Sequence, residues 1–237
     1  MSDDCSEFQA YTSVKAIAKL AAKAADELRA QGYDLDPVVL QGKGPKSLAT
    51  SPWGRAWCLH LEKYADSLPL LPRGRSLLRN GCVIDLAIDT GVVEAKVSSD
   101  RVYHLTIKIN PYPDEQWQRI KDLAAGSVSS VTTFLQGKIP ADLMTAITEP
   151  DHGLLPAPDS IRLSCDCPQW ADMCEHSAAA LYGVGVRLDE RPELLFRLVG
   201  VNPSEIASST ITALTSGNTE QTLDGNDLGD LFGIELE

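Results

Sequence analysis

Apolar residues near the start of the chain recur at intervals of three and four positions, which is the spacing of one helix face. They are Val14, Ile17, Ala18, Ala21, Ala25 and Leu28. Because lysines lie off this stripe, the pattern predicts an amphipathic helix over residues 13–31. Ser13 is the expected N-cap and Gly32 the expected stop. A second stripe, rich in aromatic residues, predicts a helix over residues 53–66.

Between residues 82 and 109 the apolar spacing shortens to two, which is typical of strands with one covered face. The predicted strands are Cys82–Ile88, Val92–Ser98 and Val102–Ile109. Short turns separate them, so we expect antiparallel pairing. Helical spacing then returns over residues 114–125, 129–135 and 140–148. A stretch rich in proline and glycine, residues 149–160, follows as a predicted linker.

Three cysteines and a histidine lie close together after this linker. They are Cys165, Cys167, Cys174 and His176, in a C-x-C-x6-C-x-H spacing. Three thiolates and one imidazole complete a tetrahedral shell for Zn²⁺ and leave no position for water or substrate, so we predict a structural zinc site. The alternatives are free buried cysteines beside an unrelated histidine, or a disulfide between two of the three cysteines.

The spacing also constrains the local structure around the cluster. Residues two apart on a helix point about 200° away from each other, so Cys174 and His176 cannot both face one metal from the middle of a helix. We therefore place Cys174 in the turn before the helix and His176 in its first turn, with the turn and the helix together predicted over residues 173–184. Residues 161–164 are predicted to form a short strand that leads into Cys165, and a last helix is expected over residues 189–198.

The cluster, its internal Pro168 and Trp170, and the run Ser177-Ala178-Ala179-Ala180-Leu181 resemble the SWIM zinc finger. Further stretches resemble bacterial stand-alone SWIM proteins: Trp53–Trp57, Leu71–Ser76, Asn80–Leu86 and Leu188–Phe196. The resemblance implies a zinc-binding domain that contacts DNA or protein, in the company of helicase-like ATPases and recombination factors. Finger members often have lysine between the last cysteine and the histidine, where this chain has Glu175.

Together these patterns predict an α+β protein with a three-stranded antiparallel sheet, helices and a small zinc knuckle made of a short strand, a turn and a helix. The expected divisions are an N-terminal helical arm and loop (1–48), an α+β domain (49–155), a SWIM-type finger (156–200) and an acidic tail (201–237).

Charge is distributed unevenly along the chain. The net charge of −12 repels nucleic acid, yet basic residues outnumber acidic ones by five between residues 41 and 81. The candidate nucleic-acid contacts in this basic segment are Lys43, Lys46, Arg73, Arg75 and Arg79. We expect residues 71–75 to form a loop that presents arginines to phosphates. The alternative is a solvated loop whose arginines pair with nearby carboxylates.

No motif of a hydrolase, metalloprotease or nucleotide-binding protein is present, and we expect no enzymatic activity. The favoured function is a zinc-binding accessory protein that positions a protein partner, a helicase-like ATPase or a recombination factor, in DNA transactions. The alternatives are direct DNA binding by the basic segment, and a metal-dependent enzyme or redox protein. With neither a signal peptide nor an apolar span of membrane length, and with scattered single cysteines, we expect a cytoplasmic location.

The end of the chain mixes acidic and large apolar residues. Among residues 222–237 the apolar members are Leu223, Leu228, Leu231, Phe232, Ile234 and Leu236. Three glycines in this stretch oppose a stable isolated helix. We interpret it as a docking segment that orders on contact, either with a partner or with the chain's own residues 41–81. A segment without a binding role is the remaining alternative.

Overall fold

The structure, a computed structural model, describes residues 14–40, 48–63, 70–125, 141–149, 153–169, 173–206, 208, 209 and 212. Its first half contains α1 (Val14–Ala30), α2 (Pro52–Lys63), α3 (Leu70–Arg79), β1 (Val83–Asp89), β2 (Val92–Ser98) and β3 (Val102–Ile109). Its second half contains α4 (Asp114–Ala125), α5 (Ala141–Ile147), β4 (Ile161–Cys165), α6 (Glu175–Glu190) and α7 (Leu194–Val199). No helix in these described ranges is both long and apolar enough to cross a membrane.

The sheet is antiparallel throughout and has the order β1-β2-β3-β4. The α+β class and the antiparallel pairing are confirmed, but the predicted number of three strands is wrong. β4 was expected to belong to the knuckle alone; instead it pairs with β3, with Leu163 opposite Ile107. Alternating apolar residues identify a strand, but they do not say which distant strand will pair with it. The sheet therefore continues directly into the cysteine–histidine cluster.

The two faces of the sheet differ in composition. On the covered face, one row across all four strands consists of Leu86, Ala95, Leu105 and Cys165. On the open face, a neighbouring row contains Asp85, Lys96 and His104. There the Lys96 ammonium pairs with the Asp85 carboxylate at 2.5 Å. Period-two alternation thus places the apolar row against the helices, as the sequence predicted.

α6 is the central helix of the covered face. Every residue from His176 to Leu188 is buried, and the helix contacts α2, α3 and all four strands. A helix buried on all sides is typical of the middle of a core. Small residues permit its close approach to α3, since a Cβ added to Gly74 would lie 2.6 Å from the Ala178 Cβ. α6 is longer than predicted and runs through Asp189, so α7 begins five residues later than expected, at Leu194.

Polar side chains near the end of α6 attach two other segments. The Asp189 carboxylate accepts hydrogen bonds from the backbone and hydroxyl groups of Thr50 and Ser51, just before α2. The buried Arg187 guanidinium donates to the Asp36 carbonyl at 2.7 Å and pairs with the Asp36 carboxylate at 2.6 Å. Residues 36–38 in turn lie along β1, where Leu86 N donates to Asp36 O. The outer edge of β1 is therefore covered.

Parts of the prediction lie outside the described residues. These are the Ser13 cap, the helix predicted over residues 129–135 and nearly all of the tail. The expected stop of the first helix is confirmed: Gly32 has φ +92° and its N–H donates to the Arg29 carbonyl.

Candidate metal centre

The four predicted ligands come from two elements and the turn between them. Cys165 is the last residue of β4, and Cys167 follows it in the turn. Cys174 is the N-cap of α6 and His176 lies in the first turn of that helix, which confirms the placement inferred from the helix geometry. The three sulfur atoms and the His176 ring lie within 4.8 Å of one another. A cluster of this kind could hold a metal ion.

Two distances from the histidine to sulfur atoms are close to those of a bound tetrahedral ion. His176 Nδ1 lies 3.8 Å from Cys174 Sγ and 4.0 Å from Cys165 Sγ. For a metal about 2.3 Å from sulfur and about 2.0 Å from nitrogen, a tetrahedral S···N edge is about 3.5 Å. These two S···N edges therefore need to contract by only a few tenths of an ångström. The cysteines of the described ranges are all free thiols, which leaves the sulfur atoms available as ligands.

Cys174 is prepared as a thiolate by its position at the start of α6. Ser177 N donates to Cys174 Sγ at 3.3 Å, and the Ser177 hydroxyl lies 3.2 Å away. Burial raises the pKa of Cys174, but hydrogen bonds with His176 and Ser177 outweigh it and lower the pKa to about 6. A helix N-terminus favours negative charge in the same way. One of the three sulfur ligands is thus largely ionised at neutral pH.

The other two thiols need a cation to ionise. Burial raises the pKa of both Cys165 and Cys167, and the nearby charge of Cys174 raises both further. A divalent ion at the centre would reverse this effect, because a coordinating thiol loses its proton to the metal. The donor set therefore fits a metal of borderline softness bound by three thiolates and one imidazole.

Residues in and next to the turn between β2 and β3 contact the His176 ring at Nε2 and on one face. His176 Nε2 lies 3.1 Å from Ser99 Oγ. With a metal on Nδ1, the ring proton would be on Nε2 and would be donated to this hydroxyl oxygen. The Ser99 hydroxyl donates to Asp100 at 2.8 Å, and Asp100 also accepts from the Tyr103 hydroxyl at 3.2 Å. The Tyr103 ring stacks on the imidazole with a centroid distance of 4.1 Å.

These supporting residues were not identified from the sequence. Ser99 and Asp100 appeared there only as turn residues, and serine and aspartate are common in turns for local reasons. The pKa of Asp100 also reflects its contacts with Ser99 and Tyr103. Burial raises its pKa, but the hydrogen bonds from Ser99 and Tyr103 prevail, so the net shift is downward.

Two arginines lie beside the cluster and each pairs with a carboxylate. Arg101 contacts Asp166, with Nη1 3.4 Å from the carboxylate and Nη2 donating to the backbone carbonyl at 2.8 Å. Its guanidinium also lies over the Tyr103 ring at 4.1 Å. Arg73 pairs with Glu175 at 3.7 Å. The glutamate at the position where finger members often have lysine thus has a basic partner from a distant helix.

The candidate nucleic-acid residues are arranged differently from the prediction. Lys43 and Lys46 lie outside the described residues. Arg73, Arg75 and Arg79 lie on α3, so the prediction of a loop over residues 71–75 is wrong. Pro72 is tolerated because it lies in the first turn of the helix, where no backbone N–H is required. Gly74, a weak helix former, is the point of close contact with α6.

The three arginines also differ in how accessible they are to a nucleic acid. Arg75 is tied into the fold: it pairs with Glu62 at 2.6 Å and donates to the Tyr182 hydroxyl at 3.3 Å. The Arg73 side chain is 66% exposed, and Arg79 is exposed in the last turn of α3. Arg73 and Arg75 pair with carboxylates, as the alternative interpretation expected, but on a helix and not on a loop.

Comparisons with known proteins identify a relative but no function. The chain is 29% identical over 150 residues to the uncharacterized protein Rv2102 of Mycobacterium tuberculosis. The match covers 62% of this chain and 54% of that protein, so the chain spans about half the length of this curated relative. No family model matches the chain, and no solved structure gives a significant match.

Proposed function

We propose that the protein is a zinc-binding accessory factor that recruits or positions a protein partner in DNA transactions, alongside a helicase-like ATPase or recombination machinery. The main observation in support is the closed donor set of Cys165, Cys167, Cys174 and His176. Four protein ligands fill a tetrahedral shell, and zinc is the usual ion for such a set. A metal held in this way stabilises structure and has no free position for a substrate.

The resemblance of the cluster to the SWIM finger supports the class of partner. It includes the cysteine–histidine spacing and the small apolar run after His176, which α6 buries in the core. Membership among stand-alone SWIM zinc finger proteins is part of the proposal, and this resemblance supports it.

Charge favours a protein as the direct partner. The net charge is −12, and a bound Zn²⁺ with three thiolates and a neutral imidazole would add a further −1. The two arginines beside the cluster already pair with the carboxylates of Glu175 and Asp166, and Arg75 on α3 pairs with Glu62. Little uncompensated positive charge remains there for phosphates.

The partner is tested by affinity purification of the tagged full chain from native extract, with and without nuclease. The proposal predicts that a DNA-translocating ATPase or recombination protein is retained after nuclease treatment. A Cys167→Ser variant, which lacks one ligand, should lose it, whereas a Cys58→Ser variant, whose thiol lies outside the cluster, should keep it. Loss of every such protein on nuclease treatment would contradict the proposal.

Direct DNA binding is the second candidate, favoured by the placement of two exposed arginines. Arg73 and Arg101 come from α3 and from the β2–β3 turn, and their side chains are 66% and 51% exposed. A chain of contacts leads from Arg73 through Glu175 and His176 to Ser99. The Ser99 N–H in turn donates to the Arg101 carbonyl. Their carboxylate pairs are long, at 3.7 and 3.4 Å, and such exposed pairs contribute little energy.

The salt dependence of binding distinguishes this candidate. If both arginines contact phosphates, Arg73→Ala with Arg101→Ala should lower the slope of log affinity against log salt by about 0.9 per lost contact on duplex DNA. Arg197→Ala is the matched control. Arg197 lies on α7, its side chain is 59% exposed, and it also pairs with a carboxylate. Absence of binding by the wild-type protein at low salt would exclude this candidate.

A further inference from the structure

β4 is an edge strand, with no neighbouring strand on its outer side in the part of the chain that the structure describes. Asp166 N donates to His104 O and Asn110 N donates to Ser160 O, so the residue pairs that exchange hydrogen bonds alternate from these two positions. Arg162 and Ser164 therefore direct their backbone groups toward β3. The C=O groups of Ile161, Leu163 and Cys165 and the N–H groups of Leu163 and Cys165 point outward, whereas the Ile161 N–H donates to the Pro158 carbonyl in the preceding turn. An edge of this kind is a template for another strand.

The side chains along this edge specify what such a strand should look like. Ile161 and Leu163 lie on the covered face but are only partly buried, so apolar surface remains beside them. On the open face, Arg162 lies opposite Lys108, and both are exposed. Neither has a carboxylate within ion-pair distance among the described residues. A matching strand would alternate apolar residues with acidic ones.

The end of this chain has that alternation. Phe232, Ile234 and Leu236 occupy alternate positions, and Glu235 and Glu237 lie between and after them. In an extended segment the three apolar side chains point to one face and the two carboxylates to the other. Placed beside β4, the apolar face would cover Ile161 and Leu163, and the carboxylates would face Arg162 and Lys108.

We propose that residues 232–237 add to the sheet as a fifth strand, paired with the outer edge of β4 of the same chain. Nineteen residues separate Thr212 from Phe232, and this length spans up to about 60 Å when extended. Covalent attachment gives the segment a high effective concentration at the edge, typically in the millimolar range for flexible linkers. The pairing covers the second sheet edge, as residues 36–38 cover the first.

Amide hydrogen exchange at Leu163 in the full chain tests the proposal, because this N–H points to the open edge. We expect its exchange to be at least tenfold slower in the full chain than in a variant that lacks residues 232–237. The Ser164 amide, which faces β3, should change less than twofold. Ile234→Asp should abolish the protection, and the matched control Leu223→Asp, outside the segment, should retain it.

A charge exchange tests the side-chain pairing. Arg162→Glu should weaken the protection of Leu163, and adding Glu235→Arg with Glu237→Arg should restore it. Exchange at Leu163 that is equal with and without residues 232–237 overturns the proposal. Protection that rises with protein concentration together with a dimeric mass also overturns it, since a second copy would then occupy the edge.

Discussion

His176 is held on three sides before any metal is considered. Its Nδ1 atom faces the sulfur atoms, its Nε2 atom lies within hydrogen-bond distance of Ser99 Oγ, and its ring stacks on Tyr103. A metal-binding histidine commonly donates its second ring N–H group to such a partner, which selects the tautomer and the ring orientation. The β2–β3 turn therefore prepares the imidazole for coordination through Nδ1.

Replacing Ser99 by alanine should weaken metal binding without removing a ligand. The imidazole would lose its acceptor at Nε2, and loss of such a contact typically lowers metal affinity by 10- to 100-fold. We expect a decrease of about tenfold, measured by competition with a chromophoric chelator. Ser164→Ala, on the open face of the sheet, is the control. Equal affinities of the two variants would contradict the role given to Ser99.

At the scale of single residues, the four candidate ligands could be predicted from the sequence. The side chains that hold His176 in place could not. The C-x-H spacing of Cys174 and His176, with the helix geometry, places the first ligand at the N-cap and the second in the first turn. Ser99 lies 77 residues from His176. Nothing in the sequence distinguishes Ser99 from any other serine in a turn.

At the scale of elements, α3 and α6 pack at the distance that Gly74 allows. A Cβ at Gly74 would lie 2.6 Å from Ala178 Cβ and 2.8 Å from Ala179 N, so larger side chains would separate the helices. Gly74→Val should lower the free energy of unfolding by about 1–3 kcal/mol through overpacking. Ser76→Val, at an exposed position of the same helix, controls for helix propensity. Equal chemical denaturation midpoints for both would refute this.

The Glu205 carboxylate links the segment after α7 to α4 through hydrogen bonds whose strength depends on its ionisation. Its carboxylate accepts from the Trp117 indole N–H at 2.9 Å and from Lys121 at 3.1 Å. The hydrogen bonds from Trp117 and Lys121 lower the pKa of Glu205. A carboxylate with a lowered pKa stabilises the folded state above its unfolded pKa, and this contribution is lost as the pH falls through the folded value.

The stability difference between wild type and Glu205→Gln should therefore shrink as the pH falls from 6 toward 3. Urea denaturation at several pH values measures it. Glu193→Gln, an exposed carboxylate for which no such contacts occur among the described residues, should show no comparable change. A constant difference for Glu205→Gln over this range would show that its charge does not contribute.

The elements that the sequence predicted well are those set by local pattern. β1, β2 and β3 follow from alternation and short turns, and α1 from its apolar stripe and Gly32. α3 was missed because Pro72 and Gly74 disfavour a helix locally, whereas packing against α6 favours it. The pairing of β4 was missed because its partner β3 lies more than fifty residues away along the chain.

For the whole molecule, the candidate metal centre joins parts that are distant in sequence. β4 belongs to the sheet, α6 is the centre of the core, and the β2–β3 turn supports His176. Metal bound to the folded state alone stabilises it by about 4 kcal/mol at a thousandfold excess over the dissociation constant.

Metal removal should therefore affect the whole fold. We expect a chelator to increase amide exchange in β3 and along α6, as well as in residues 165–176. The measurement is hydrogen exchange of the full chain before and after chelation, with metal added back to demonstrate reversal. Increased exchange limited to residues 165–176 would show instead that the cluster is a separate unit.

The metal content of the purified full chain tests the central claim most directly. Elemental analysis after dialysis should give one zinc per chain for the wild type and for Cys58→Ser, whose thiol lies outside the cluster. Cys167→Ser should give well below one, because it removes one of four ligands. Wild-type protein without bound zinc, or a Cys167→Ser variant that retains one zinc per chain, would contradict a zinc centre formed by Cys165, Cys167, Cys174 and His176.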